Sequence, residues 1–135
     1  MTLCTSAVEK RRQITRHIRW NLGFAAFCGI FAAVYEHFSF GVYSGAMVFS
    51  FAAPLLTGVV LIILRALHRH PGTLVLQLLG CTAATFAAGS IAAGVVEIYG
   101  TDNPLLKIYP AAGGILLAAA GIAWAVRMQK ERAYC

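Results

Sequence analysis

Residues 73–96 read TLVLQLLGCTAATFAAGSIAAGVV, a run of 24 residues without a single charged side chain. Residues 44–64 and 108–126 are likewise apolar and uncharged, and a shorter apolar run covers residues 20–35. About 20 residues of α-helix, rising about 1.5 Å each, cross the hydrocarbon core of a bilayer. The shorter run reaches this length if Arg19 extends its charged end toward the headgroups. The sequence therefore predicts an all-α fold, a bundle of four transmembrane helices.

The composition excludes a soluble domain. The chain has 135 residues, of which 59% are hydrophobic and only 12% charged, and its mean hydropathy is +0.73. Soluble domains carry about 25% charged residues, because charge keeps their surfaces in water. We expect the first apolar run to be a retained helix and not a signal peptide, because a long polar stretch precedes it and no clear cleavage site follows.

The basic residues predict the orientation of the chain. Of its 11 Lys and Arg residues, all except Lys107 precede the first run, separate the second from the third, or follow the fourth. The positive-inside rule places these segments, and hence both termini, in the cytoplasm. We expect the headgroups of anionic membrane lipids to be the partners of these basic residues. We expect no nucleic acid partner, because the basic residues are divided among three short segments.

An internal repeat organises the four runs. AAVYEHFS at residues 32–39 aligns with AGVVEIYG at 93–100, and VYSGA at 42–46 aligns with IYPAA at 108–112, with five extra residues in the second copy. Each copy joins the end of one run to the start of the next. The repeat predicts two duplicated helical hairpins related by an axis along the membrane normal, the parallel kind of repeat.

These patterns also predict the boundaries along the chain. A basic cytoplasmic segment covers residues 1–19, the first transmembrane hairpin 20–64 and a cytoplasmic loop 65–72. The second hairpin covers 73–126 and a cytoplasmic tail 127–135. Within them, we expect Pro54 to kink the second helix and Asn103 to cap a short turn that starts at Pro104.

Two kinds of helix face predict the packing. The first helix carries an aromatic stripe, which we interpret as a surface that contacts lipid or another subunit: Trp20, Phe24, Phe27, Phe31, Tyr35 and Phe38. The first, third and fourth helices also carry faces of Gly, Ala and Ser, which allow helix backbones to approach closely in lipid. We therefore expect leucine at Gly94 or Gly121 to disrupt packing.

The repeated glutamates are the candidate functional residues. Glu36 and Glu97 occupy equivalent positions in the two copies, with Tyr43, Tyr109 and His37 nearby in sequence. Two carboxylates in close contact share a proton or hold a cation, so the pattern predicts a proton or cation site near the outer face. The alternative is structural, with each glutamate accepting hydrogen bonds that lock its turn.

No catalytic residue, metal ligand or cofactor site is predicted. His68 and His70 form an H-x-H pair, but no acid or cysteine lies near them in sequence, so we interpret them as part of a loop that faces lipid headgroups. A lipid-modifying enzyme is disfavoured because no nucleophile and base can be paired. Two functions stay open: a small transporter or channel subunit that uses the glutamates, and a non-catalytic accessory protein. Because four short helices enclose little volume, we expect a homo-oligomer or a partner membrane protein.

Two segments carry a resemblance. YEHFS followed by GVYS, at residues 35–44, and EIYGT, at residues 97–101, are similar to segments of small four-helix bacterial membrane proteins of unassigned function. The resemblance implies the four-helix fold and a plasma-membrane setting. It implies no activity.

Overall fold

The computed structural model describes residues 2–38, 45–100 and 103–133, and within these ranges the chain forms helices and short turns without a β-strand. Four helical segments are long and apolar enough to cross a membrane. Span 1 belongs to helix Thr2–Phe38 and span 2 is Gly45–Ala66. Span 3 is Thr73–Ile98, and span 4 begins with the 3-10 turn Pro104–Lys107 and continues as helix Ile108–Ala133. The predicted all-α class, with four helices that are long and apolar enough to span a membrane, is confirmed.

Span 1 is longer than a bilayer requires. Its 37 residues make a helix of about 55 Å, against about 30 Å of hydrocarbon. Residues 2–19 of the predicted basic segment are therefore helical and continuous with the span. Ile14 and Ile18, four residues apart within it, are both buried, so one face of the extension is apolar.

A cluster of buried aliphatic side chains lies where span 1 passes the end of span 2 and the start of span 3. It consists of Ile14, Ile18, Leu61, Leu64 and Leu76. At the same level the Thr73 hydroxyl donates a hydrogen bond to the Gln13 side-chain oxygen, at 3.2 Å. Removal of these aliphatic side chains from water is favourable. This cluster therefore joins three spans at the end of the bundle that also carries most of the basic residues, here called the basic end.

In the middle of spans 1 and 3 the buried residues are small. Ala25, Cys28 and Ala32 of span 1 are buried, as are Ala83 and Ala87 of span 3. Small side chains let helices approach closely where lipid removes the hydrophobic incentive for association. The small faces predicted for spans 1 and 3 thus form part of the helix packing.

The spans pack in chain order, with spans 1 and 3 also in contact. Span 3 starts beside Gln13 of span 1, and its Gly94 lies against Met47 at the start of span 2. Spans 1 and 3 therefore run in the same direction, as a parallel repeat requires. The superposition of the two hairpins stays a prediction.

Pro54 changes the geometry of span 2. It is buried, and it follows the 3-10 turn Phe49–Phe51 that precedes helix Ala52–Ala66. Proline has no N–H to donate to the carbonyl four residues earlier, here that of Ser50, and its ring crowds that carbonyl. The irregular turn in span 2 therefore has its physical cause in Pro54.

Span 4 is the least enclosed element. Among the described helices it packs against span 3 alone, and only 11% of its apolar stretch is buried, against 28 to 35% for the other spans. Gly121 is exposed, and a Cβ placed on it would meet no atom within 4 Å. The expectation that Gly121 makes a tight contact is wrong within one molecule, because its face of span 4 points away from span 3.

Candidate functional sites

The glutamates lie at the end of the bundle opposite the basic end. Glu36 ends span 1 and is half-buried, with one carboxylate oxygen, Oε1, shielded from solvent. Glu97 ends span 3 and is exposed. The two carboxylates therefore stand in different environments, although the repeat gives them equivalent positions. Their predicted pairing stays a prediction.

A groove of about 520 Å³ runs beside Glu97. Lys107 lines the same groove, together with Asn103 and Pro104 from the turn before span 4. The Asn103 side chain accepts a hydrogen bond from the Leu105 N–H at 3.0 Å, and this confirms the predicted cap. An ammonium group in this groove competes electrostatically with any cation that would bind beside Glu97.

Tyr109 packs against span 3 at a different level. A Cβ placed on Gly89 would stand 2.5 Å from the Tyr109 Cβ, so the tyrosine sits directly on the glycine backbone. Gly89 precedes Glu97 by eight residues, which is about 12 Å along the helix axis. The Tyr109 backbone therefore lies closer to the basic end than Glu97 does.

His37 and Tyr43 complete the predicted set. His37 is exposed, and its ring meets Phe38 edge-on, with the ring centroids 5.6 Å apart. Tyr43 lies outside the described residues. The described members of the predicted set are thus spread along the opposite end of the bundle. Of these, Glu97 shares a groove with a charged residue of opposite sign, Lys107.

The aromatic stripe of span 1 lies on the outside of the monomer. Phe27 is 60% exposed, and its ring stacks on Phe31 at 6.3 Å, which in turn stacks on Tyr35 at 6.1 Å. These contacts run along one face of the helix. The stripe is therefore available to lipid or to another subunit, as its spacing indicated.

A second set of polar residues gathers at the basic end, and sequence reasoning did not place it. The loop after span 2 brings His68, Arg69 and His70 next to Lys10 of span 1 and Arg127 of span 4, around one cavity. The only signal in the sequence was the H-x-H pair among basic residues. No cluster of three or more His, Cys, Asp or Glu side chains suited to a metal occurs in the described part of the chain.

The fold and these sites define a class: an all-α protein whose four helices are long and apolar enough to span a membrane. Comparisons of the chain with protein-family models, curated proteins and solved structures found no match. The function is therefore argued from geometry.

Proposed function

We propose that this chain is a non-catalytic membrane protein that acts by assembling with a second copy of itself through span 4. The observation that carries the proposal is the exposed small-residue face of that span. Gly114, Ala118, Gly121 and Ala125 recur at helical spacing, and all four are exposed. A face of this kind leaves the helix backbone open to close approach by another helix in lipid.

A second copy fits this face because it brings the same small residues to the contact. Two identical faces around a two-fold axis make a closed interface in which each residue meets its symmetry-related neighbours. Span 4 gains most from such a contact, because it has the least burial within one molecule. In this proposal Glu36 and Glu97 are structural and hold the ends of their hairpins.

The test is crosslinking through span 4 in liposomes. Cysteine at Ala118 should give a disulfide-linked dimer under mild oxidation, and adding Gly121→Leu should reduce its yield several-fold. Leucine at Gly23 of span 1 is the control, because that glycine is also exposed with no atom near its Cβ position. An equal loss with Gly23→Leu, or no dimer in any variant, would refute assembly through span 4.

A second candidate function is proton or cation transfer at Glu36 and Glu97, with Tyr43, Tyr109 and His37 as neighbours. One observation favours it: Oε1 of Glu36 is shielded from solvent, which is a property of many proton-binding carboxylates. Flux into proteoliposomes that carry a pH-sensitive dye tests it. Transport lost with Glu36→Gln would support this function, whereas equal flux with protein-free liposomes would exclude it.

The orientation of the chain and the membrane that holds it are part of the same proposal. The start of span 1 and the end of span 4 lie at the basic end, and the excess of Lys and Arg there supports a cytoplasmic location for both under the positive-inside rule. The resemblance of the two short segments supports a bacterial plasma membrane. Labelling of single cysteines at residues 12 and 107 in intact cells checks the orientation, and a label that reaches residue 12 from outside would reverse it.

A further inference from the structure

A cavity of about 260 Å³ opens at the basic end, where the loop between spans 2 and 3 meets spans 1 and 4. Five side chains that are cationic or can become so line it: Lys10, His68, Arg69, His70 and Arg127. No acidic side chain is among its described lining residues. A smaller cavity of about 80 Å³ shares Lys10, His70 and Arg127 with it. Cationic walls around a pocket raise the local concentration of anions.

The loop that supplies the middle of this cavity has a defined shape. The Arg69 N–H donates to the Leu64 carbonyl at 3.0 Å, and Pro71 is buried. His68 has φ of 53° and Gly72 has φ of 87°, so two residues of this short loop take left-handed backbone. Histidine tolerates this region better than most residues, and glycine adopts it freely. The backbone that carries His68, Arg69 and His70 therefore has a defined path beside the cavity.

The two arginines approach the cavity from different elements. Arg69 donates from Nη1 to the Met128 sulfur at 3.1 Å, a weak acceptor, and the rest of its guanidinium donors stay available. The Arg127 guanidinium lies against Gly72, where a Cβ would collide with Nη1. Glycine at position 72 thus makes room for Arg127. Planar guanidinium groups suit the paired oxygens of a phosphate.

His70 adds an independent observation. Its Nδ1 is shielded from solvent and has no hydrogen-bond partner among the described residues, although the residue lines both cavities. A buried ring nitrogen without a partner is unfavourable. The imidazole has to turn toward the cavity before an oxygen of a bound anion can accept a hydrogen bond from this nitrogen.

We propose that this cavity binds a phosphate group, supplied by the headgroup of an anionic phospholipid. Trp124 lines the cavity and is partly exposed on span 4. Tryptophan prefers the level of the headgroups, so its place indicates that the cavity opens there. Basic pockets between membrane helices are suited to anionic headgroups. Free inorganic phosphate carries the same oxygens and is the other source of a phosphate group for this cavity.

Binding to the purified full-length chain, delipidated in mild detergent, tests the proposal. Native mass spectrometry should show one phosphatidylglycerol retained, at least about five-fold more strongly than phosphatidylcholine. Calorimetry with inorganic phosphate forms the second arm, and we expect weaker binding that competes with phosphatidylglycerol. Phosphate binding without a preference for phosphatidylglycerol would overturn the lipid source. Absence of selective binding in both arms would overturn the site.

Matched variants distinguish binding of the lipid in this cavity from general attraction between anionic lipid and basic residues. Arg127→Gln should weaken phosphatidylglycerol binding about five-fold, whereas Lys130→Gln should change it less than about two-fold. Both remove one positive charge from span 4, but Lys130 does not line the cavity. Equal losses would refute the site. If Arg127→Gln fails to fold, the exposed Lys10→Gln, with Arg12→Gln as its control, gives the same comparison.

Discussion

Gly94 of span 3 lies directly on the backbone of Met47 at the start of span 2. A Cβ placed on Gly94 would stand 2.6 Å from the Met47 Cβ and 3.2 Å from its Cα and N. Real Cβ atoms almost never approach other atoms this closely, and a backbone neighbour cannot rotate away as a side chain can. The contact joins the two hairpins at the end that holds the glutamates, and only glycine permits it.

Gly94→Ala should therefore destabilise the protein by about 1–3 kcal/mol, because the added methyl forces the two spans apart. Gly80→Ala on the same span is the control, since its Cβ would meet nothing within 4 Å. Alanine there should be neutral or stabilising by up to about 1 kcal/mol, from helix propensity alone. Thermal unfolding in detergent measures both. Equal melting temperatures would show that the spans do not need this close approach.

The interface between spans 3 and 4 offers a test with adjacent residues. A Cβ on Gly113 would lie 2.8 Å from the Phe86 ring, whereas one on Gly114 would meet nothing within 4 Å. Gly113→Ala should lower the melting temperature of the monomer, and Gly114→Ala should not. Adding Phe86→Leu should recover part of the loss in Gly113→Ala, because leucine is smaller than the ring. A loss that Phe86→Leu leaves untouched would mean that the ring is not the obstacle.

Alanine substitutions at Gly72 and Gly100 distinguish the cost of backbone strain from an effect on the cavity at the basic end. Their φ values are 87° and 69°, so alanine at either position should cost about 1–2 kcal/mol of stability. Only at Gly72 would the new Cβ collide with Arg127. We expect Gly72→Ala to displace that guanidinium and weaken phosphatidylglycerol binding, and Gly100→Ala to leave binding intact. Intact binding in Gly72→Ala would show that the position of Arg127 does not matter to the site.

The two glutamates should differ in their contribution to stability. Glu36 is half-buried with a shielded oxygen, so Glu36→Ala should cost about 1–3 kcal/mol. Glu97 is exposed, so it should hold its hairpin more weakly, and Glu97→Ala should cost only about 0.5 kcal/mol. Chemical unfolding of both variants in the same detergent gives the comparison. An equal, large cost at both positions would mean that the repeat makes them equivalent locks.

The helical spans and the cap at Asn103 could be predicted because each depends on local sequence. An uncharged run of sufficient length has few alternatives to a membrane helix, since lipid leaves no partner for an unpaired backbone N–H. The sequence indicated the helical extension of span 1 less clearly, because only the spacing of Ile14 and Ile18 within a basic segment pointed to it. Its burial depended on Leu61 of span 2, more than 40 residues away, which periodicity alone does not reveal.

The sequence by itself determined four apolar helices, their hairpin order and the concentration of positive charge at one end, because chain composition and the thickness of a bilayer decide these properties. Only the tertiary structure decided which small residues are in contact, since Gly113 and Gly114 are neighbours in the chain but face different surroundings. It also decided that Lys10, His70 and Arg127 meet around one cavity. Rotation of each helix about its axis sets such contacts, and that rotation depends on the fit of all neighbouring helices together.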